Sequence, residues 1–319
     1  MEILGLILPL FGLIIIGYVA AKITKQPVEA LGWLSTFIVY IALPALFYKL
    51  LSRTPIDQLA SWNFIGVNIG VTFCIFALTF AIGYFATRGN IPEATVQGFA
   101  GAYGNIGYMG PALAILVFGE RAAIPVAIIF CFENAMHFTL APALMAIGGQ
   151  AEGGPLAVAQ RVVVKIVTHP FMIASAVGVG AAFFHFSEPA PVTRLIDYLA
   201  QAAAPCALFA MGVTLALRPL KRVPLALGYV VPMKLILHPF AMYLVLAITG
   251  VASDNVWLFT AVLLAALPTA TNVFVIAQQY NAWVERASAS VLVSTVVSIV
   301  TVSLLIYAVK EGMLPAQLF

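Results

Sequence analysis

Few side chains in this sequence can do chemistry, and those that can are set inside apolar runs. Glu133 lies in "IIFCFENAMHFTLAP", beside Asn134 and four residues before His137. In a helix that spacing puts Glu133 and His137 on one face. A carboxylate so deep in apolar sequence is expensive and is a functional candidate by default. Its chemistry would be coordination of a coupling cation such as sodium, or exchange of a proton; the alternative is a structural hydrogen bond to a neighbouring helix. Lys234 and His238, in "VVPMKLILHPF", repeat the spacing. Lys234 is expected to snorkel to the interface; turned inward, it would pair with Glu133 or attract an anion.

A second set of polar residues sits where helices must break. In "GAYGNIGYMGPALAI", 101–115, glycines at 101, 104, 107 and 110 continue a three-residue recurrence that starts at Gly98, with Asn105 among them and Pro111 following. Proline has no amide hydrogen and its ring collides with the carbonyl of Gly107. Each glycine costs a helix about 1 kcal/mol relative to alanine. The three-residue step walks around the helix, so the five glycines do not make one packing stripe, and unwinding is expected between about Gly104 and Pro111. "LLAALPTATNVFVIAQQY", 263–280, supplies a counterpart, with Pro268 followed by Thr269, Thr271 and Asn272. Unwound backbone cannot face lipid, so both breaks must be buried or line a wet cavity. Half-helix amino termini there would offer free amides and partial positive charge, which suit a carboxylate. The substrate-binding candidates are Gly104, Asn105, Tyr108, Pro111, Pro268, Thr271 and Asn272. No Arg or Lys lies within either break, so amides, dipoles, asparagines and hydroxyls would hold the anion. Tyr103 and Tyr108 would touch an organic substrate or pack at an interface. Asn63, Asn68 and Gln97 are further candidates for lining a cavity. The plain alternative is that Pro and Gly only kink packed membrane helices, where both are common.

The elements that must position these residues follow from composition. The 319 residues are 63% hydrophobic and 8% charged, against about 25% charged in soluble chains. Lipid must therefore be much of the solvent. The net charge of +3 does not suggest nucleic acid. Cys74, Cys131 and Cys206 match no disulfide or zinc spacing and read as small buried hydrophobes. The opening apolar run begins with Glu2 rather than positive charge and reads as a permanent span, not a signal peptide. At about 20 apolar residues per crossing, the spans fall at 3–21, 31–51, 61–87, 93–118, 121–147, 161–185, 192–217, 222–249, 254–279 and 284–309. A glycine-rich connector, 147–161, marks the midpoint.

Shifting the chain by 161 residues places Pro9 on Pro170, Gly17 on Gly178, Pro44 on Pro205 and Gly89 on Gly250. That pattern predicts two repeats, 1–150 and 151–319. Five spans is an odd number, so the halves would be inverted, as in secondary transporters. The expected fold is therefore all-α and integral to the membrane, with ten transmembrane helices and crossed broken helices four and nine. Loop charge sets orientation. Lys22, Lys25, Arg88, Arg161, Lys165, Arg218, Lys221, Arg222 and Arg286 fall on one side, and Lys49, Arg53, Arg121, Arg194 and Lys310 on the other. Both termini are therefore expected outside a bacterial inner membrane.

No HExxH, GxSxG, P-loop or strand-to-helix GxGxxG is present, and His169 beside Pro170 has no nucleophile near it in sequence, so no enzyme is indicated. No bound cofactor is expected. "GNIGYMGPALAILVFGE" and "LPTATNVFVIAQQYN" resemble the signature segments of the auxin efflux carrier family, and "APCALFAMGVTLA", 204–216, resembles its seventh span. The long cytosolic loop of plant members is absent, so the chain is similar to compact bacterial members. The resemblance implies a fold related to bile-acid and sodium–proton transporters. Spans one, two, six and seven would form a scaffold, usually dimeric, and the others a moving transport domain. It implies crossing residues Pro111, Pro268 and Asn105, and organic-acid substrates such as auxin, malonate or malate. The combined expectation is an elevator-type secondary carrier of a small organic anion, working as a homodimer. A sodium–proton exchanger and a membrane sensor or gated channel remain as alternatives.

Overall fold

The computed structural model describes residues 2–56, 61–150, 160, 163, 164, 167–217 and 223–316. Most of the connector and the orientation residues Arg161, Lys165, Arg218, Lys221 and Arg222 lie outside them. In lipid a backbone must satisfy its own polar groups, and helices do so within one segment. The described residues are accordingly helical, with no strand among them and an isolated antiparallel bridge between Gly104 and Thr269.

The helices are α1 (Glu2–Thr24), α2 (Gly32–Phe37), α3 (Leu43–Ser52), α4 (Trp62–Ala86), α5 (Ile91–Ala102), α6 (Gly110–Phe118) and α7 (Ala123–Ile147). They continue as α8 (Pro170–Phe183), α9 (Ala190–Leu217), α10 (Leu227–Pro232), α11 (His238–Thr249), α12 (Asn255–Ala266), α13 (Thr271–Gln279) and α14 (Val284–Lys310). Among the described residues, six helical stretches are long and apolar enough to cross a membrane: Glu29–Ser52, Trp62–Ala86, Glu120–Ile147, Ala190–Leu217, Leu227–Thr249 and Val284–Lys310. Shorter apolar helices accompany them, Asn255–Ala266 among them. The protein is thus a multi-pass membrane protein, helical through its described residues; six stretches are long enough to cross, not the ten expected, and α5, α6, α12 and α13 are each too short to cross alone.

Two of the long stretches contain a π turn, Ile38–Ala42 before Pro44 and Met233–Leu237 before Pro239. A proline ring presses on the carbonyl four residues back in a regular helix. The wider π turn gives it room and shifts the facing of every later side chain.

The chain divides into two compact units. The first holds Met1–Ser61, Gly107–Cys131 and Val167–Pro219. There α1 packs on α9 so closely that a Cβ on Gly17 would overlap the carbonyl of Phe209, and α3 packs on α8. Phe47, Phe130 and Phe171 fill its centre, with Phe47 and Phe130 stacked at 4.3 Å. Lys49 pairs with Asp197 at 2.7 Å at its rim.

The second unit holds Trp62–Ile106, Phe132–Ile166 and Leu220–Phe319. Its centre is made by the half-helices α5 and α12. Each opens on a side-chain cap: Asn90 Oδ1 accepts from the Glu93 amide at 3.1 Å and Asp254 Oδ1 from the Trp257 amide at 3.0 Å. Such caps satisfy amides that a helix start leaves unpaired. At 12 residues each they are about 18 Å long, a little over half the hydrocarbon thickness. From Pro92 on, apart from Glu93, every residue of α5 is buried, as is every residue of α12 from Trp257 on. Gly98 and Gly101 face Phe76 and Thr79 of α4. Gly104 and Gly107 meet other neighbours, the first Leu264 and Lys234 and the second Phe130, so the glycines make no single packing stripe.

Candidate functional site

Both expected interruptions are present, and in the second unit they meet. Helix α5 ends at Ala102; Tyr103 is extended, and helix resumes only at Gly110. Helix α12 ends at Ala266, Leu267 and Ala270 are extended, and α13 begins at Thr271. The unwound strands pair across the Gly104–Thr269 bridge: the Ala270 amide donates to the Tyr103 carbonyl at 2.9 Å and the Asn105 amide to the Pro268 carbonyl at 2.8 Å. The Thr269 amide donates to Ser294 Oγ at 3.0 Å, and its hydroxyl to the Ala100 carbonyl at 2.8 Å. Backbone freed by Pro268 and the glycines is thereby satisfied inside protein, as a membrane interior requires. The first turn of α13 still presents the Thr271 and Asn272 amides, and both residues are only partly buried.

A cation stands beside this crossing. Lys234, in the π turn, is fully buried, and its Nζ donates to the carbonyl of Ala265, the next-to-last residue of α12. A Cβ built on Gly104 would lie 3.3 Å from that Nζ and 3.0 Å from the Leu264 carbonyl, so a glycine is what admits the lysine here. The snorkelling expectation for Lys234 is therefore wrong. The π turn aims the side chain inward, where the backbone carbonyl of Ala265 receives it.

From Lys234 a continuous polar chain runs through the second unit. Lys234 Nζ is 3.3 Å from His238 Nδ1, His238 Nε2 is 3.2 Å from Thr72 Oγ1, and Thr72 Oγ1 donates to Glu133 Oε1 at 2.8 Å. All four side chains are buried. Glu133 and Lys234 make no direct ion pair; His238 and Thr72 stand between them. One turn along α7, the His137 ring stacks on Tyr103 at 3.9 Å, and its nitrogens have no hydrogen-bond partner among the described residues. Tyr103 is buried, its hydroxyl donating to Asn134 Oδ1 and accepting from Asn272 Nδ2, the latter at 2.9 Å.

The sequence candidates thus separate. Gly104, Asn105, Pro268, Thr271, Asn272, Glu133, Asn134, His137 and Lys234 all belong to the second unit. Tyr108, half-buried, and Pro111, in the first turn of α6, belong to the first. There Pro111 lines a cavity of about 530 Å³ together with Lys49, Arg53, Arg121 and Gln201. Asn68 is buried with Nδ2 3.6 Å from Met242 Sδ, and Gln97 accepts from the Tyr229 hydroxyl. Asn63 is exposed and lines nothing buried. His169 lies edge-on to Phe171 at 4.8 Å. All three cysteines are free; Cys74 is exposed rather than buried, and Cys131 and Cys206 are intermediate. Sequence reasoning missed Thr72, which links His238 to Glu133, and Ser294, which accepts from the Thr269 amide.

Two interrupted helices paired at a buried crossing, in a body helical throughout its described residues, have the architecture of a membrane transporter. Comparison with known proteins gives the particular family. A family model described as "Membrane transport protein" matches residues 2–306. A protein of Rhizobium meliloti (strain 1021) named "Putative malonate transporter" is 61% identical over 318 residues, covering 100% of this chain and 99% of its own. "Uncharacterized transporter YfdV" of Escherichia coli (strain K12) is 26% identical over 95% of this chain and 96% of its own. An "Uncharacterized transporter" of Methanothermobacter thermautotrophicus is 24% identical over 93% and 95%. The chain belongs to this membrane transport protein family, that of the auxin efflux carriers.

Proposed function

We propose that the protein is a secondary carrier of a small organic carboxylate, of the malonate type, that works by elevator-like alternating access. The observation that carries this reading is the crossing itself, with Lys234 at its side. Lys234 supplies the opposite charge, the Thr271 and Asn272 amides and the Thr271 hydroxyl supply donors, and Asn105 and Asn272 orient the carboxylate. The crossing from Tyr103 to Ile106, α12, α13, Lys234 and Glu133 all lie in one compact unit. These groups, without Tyr108 and Pro111 of the first unit, can move as one piece. The second unit is therefore the moving body and the first, built on α1, α3, α8 and α9, is the scaffold of a homodimer in the plasma membrane with both termini outside.

The inverted repeat is part of the proposal. It is supported by the equivalent places of Gly17 and Gly178, each against the backbone of a neighbouring helix, Phe209 and Tyr48 respectively.

Malonate counterflow into proteoliposomes tests the reading, alongside a thermal-shift screen of mono- and dicarboxylates with and without sodium. A ligand at 100 times its Kd stabilises the folded form by about 2.7 kcal/mol. The Asn105→Ala/Asn272→Ala double variant is expected to fold and to lose saturable uptake. Uptake at the wild-type rate by that variant overturns the assignment, and uptake that never saturates points to a channel.

A further inference from the structure

We propose that Lys234, His238, Thr72 and Glu133 form a proton relay that makes the carrier take up one proton, stored on Glu133, with each singly charged carboxylate. The inference rests on the carrier reading above and names its coupling ion.

The donor order in the chain is fixed by chemistry. A lysine ammonium only donates, so His238 Nδ1 accepts from Nζ at 3.3 Å. His238 Nε2–H must then donate to Thr72 Oγ1 at 3.2 Å, and the threonine hydroxyl donates to Glu133 Oε1 at 2.8 Å. Three hydrogen bonds thus point one way, from ammonium to carboxylate. One proton can move in each. The Nζ–H bond breaks as Nδ1–H forms, Nε2–H breaks as a new Thr72 O–H forms, and the old Thr72 O–H breaks as Glu133 Oε1–H forms. Lys234 and Glu133 end neutral, His238 has exchanged tautomers, one proton has passed from ammonium to carboxylate, and the summed charge of the four groups is unchanged. A proton taken from solution through water at the open crossing then restores the Lys234 ammonium, so the body has gained one proton.

The same shift prepares the anion site. After it, His238 presents Nδ1–H and no longer accepts from Lys234, so the ammonium is released toward the crossing and the Gly104 backbone. Proton at Glu133 and anion beside Lys234 therefore favour each other. The empty body holds Lys234 ammonium and Glu133 carboxylate, and the loaded body holds ammonium, substrate anion and neutral Glu133. Both sum to zero, which matters because an uncompensated buried charge is heavily penalised. Release runs the hops in reverse, through the crossing, so no second proton path is required.

The titratable groups facing this chain are few. α7 contributes His137, stacked on Tyr103 of the first break. Within α12 no residue is titratable, and Thr72, the residue that α4 places in the chain, does not titrate. Glu93 of α5 and Arg286 of α14 pair with each other at 3.3 Å rather than with the chain.

The test uses full-length protein in proteoliposomes with hydrogen malonate, the singly charged form kept predominant by a mildly acidic buffer, as probe, measuring counterflow exchange at equal pH and net uptake driven by an inward proton gradient. Exchange shuttles only the loaded body, so the proton stays in place; net uptake requires the empty body to return. Glu133→Gln imitates the protonated acid and leaves the empty site with an unbalanced lysine. Gradient-driven uptake should fall about 100-fold, equivalent to about 2.7 kcal/mol at 1.36 kcal/mol per tenfold, while exchange persists. Thr72→Val cuts the relay without removing a charge, and net uptake should fall on the order of 100-fold, the usual worth of a positioned proton carrier. Thr72→Ser should restore it. Equal loss of exchange and net uptake in Thr72→Val would make Thr72 merely structural and sink the relay, as would gradient-driven uptake unchanged in either variant. Wild type that exchanges malonate without responding to a proton gradient also sinks it. Wild type that exchanges no carboxylate at all removes the carrier reading instead.

Discussion

Replacing Lys234 with methionine separates a charge-assisted site from one made of backbone dipoles alone. The side chains are similar in length, and Lys234 is fully buried, so the loss is chiefly one of charge. Two unit charges about 4 Å apart at an effective dielectric near 20 attract by about 4 kcal/mol. Truncating one partner of a buried, hydrogen-bonded charge pair is worth roughly 2–5 kcal/mol. A middle value of about 3 kcal/mol weakens malonate binding roughly 100-fold. Stability should change less, because its terms oppose. The Ala265 carbonyl and His238 Nδ1 lose their donor, at about 1–3 kcal/mol for each unsatisfied group, while the penalty for burying an ammonium disappears. Calorimetric titration of detergent-purified protein measures the affinity, and thermal unfolding shows that the variant folds. Lys310→Met, at an exposed lysine, should bind as wild type does. A Lys234→Met protein that folds and binds malonate within about threefold of wild type refutes the charge-assisted site.

Gly104→Val should abolish malonate uptake and destabilise the fold by about 1–3 kcal/mol through overpacking, since a Cβ there already lies 3.0 Å from the Leu264 carbonyl and 3.3 Å from Lys234 Nζ. Retained uptake would mean that the crossing is looser than this geometry. Ser294→Ala removes the acceptor of the Thr269 amide and should lower stability by about 1–3 kcal/mol in thermal unfolding. An unchanged transition would remove Ser294 as the anchor of the second break.

The breaks were legible because Pro268, Pro111 and the glycines act locally: a missing donor or a missing Cβ interrupts a helix whatever surrounds it. Glu133 and His137 were legible for a related reason, since burying an ionisable group in apolar sequence is expensive enough to require a purpose. The direction of Lys234 was not. A lysine near a helix end snorkels or turns inward according to helix phase, and one inserted residue in a π turn rotates all later side chains by about 100°. Nothing in "PMKLILHP" announces that insertion except Pro239, which tolerates more than one geometry. Thr72 was hidden by its type. Membrane threonines commonly bond their own helix, as Thr79 does to the Ile75 carbonyl at 2.8 Å, and only packing shows that Thr72 bonds Glu133 instead. Cys74 was misjudged because hydropathy cannot tell a residue facing lipid from one facing protein. The ten-span count rested on the same quantity, which cannot see that α5 and α12 stop after 12 residues each.

The pairing of the two breaks changes what can hold an anion. Unwinding frees amides, but those of Asn105 and Ala270 are taken by opposite carbonyls, and that of Thr269 by Ser294. What remains at the start of α13 is a single helix terminus, typically worth 0.3–1 kcal/mol to a nearby charge and about 2 at most. That is too weak to bind a hydrated dicarboxylate at micromolar concentration, which needs about 8 kcal/mol. The backbone pairing therefore serves rigidity: it fixes two strands that lipid would not tolerate loose, and it places one carbonyl, that of Ala265, to receive Lys234. In the proposed carrier, affinity then depends on a charge brought in from a third helix. A permanent ammonium alone would leave the empty site charged and unable to cross, so the same residue that grips the anion needs a partner to neutralise it when the anion leaves. Glu133, two hydrogen-bonding groups away, can be that partner without competing for the anion directly.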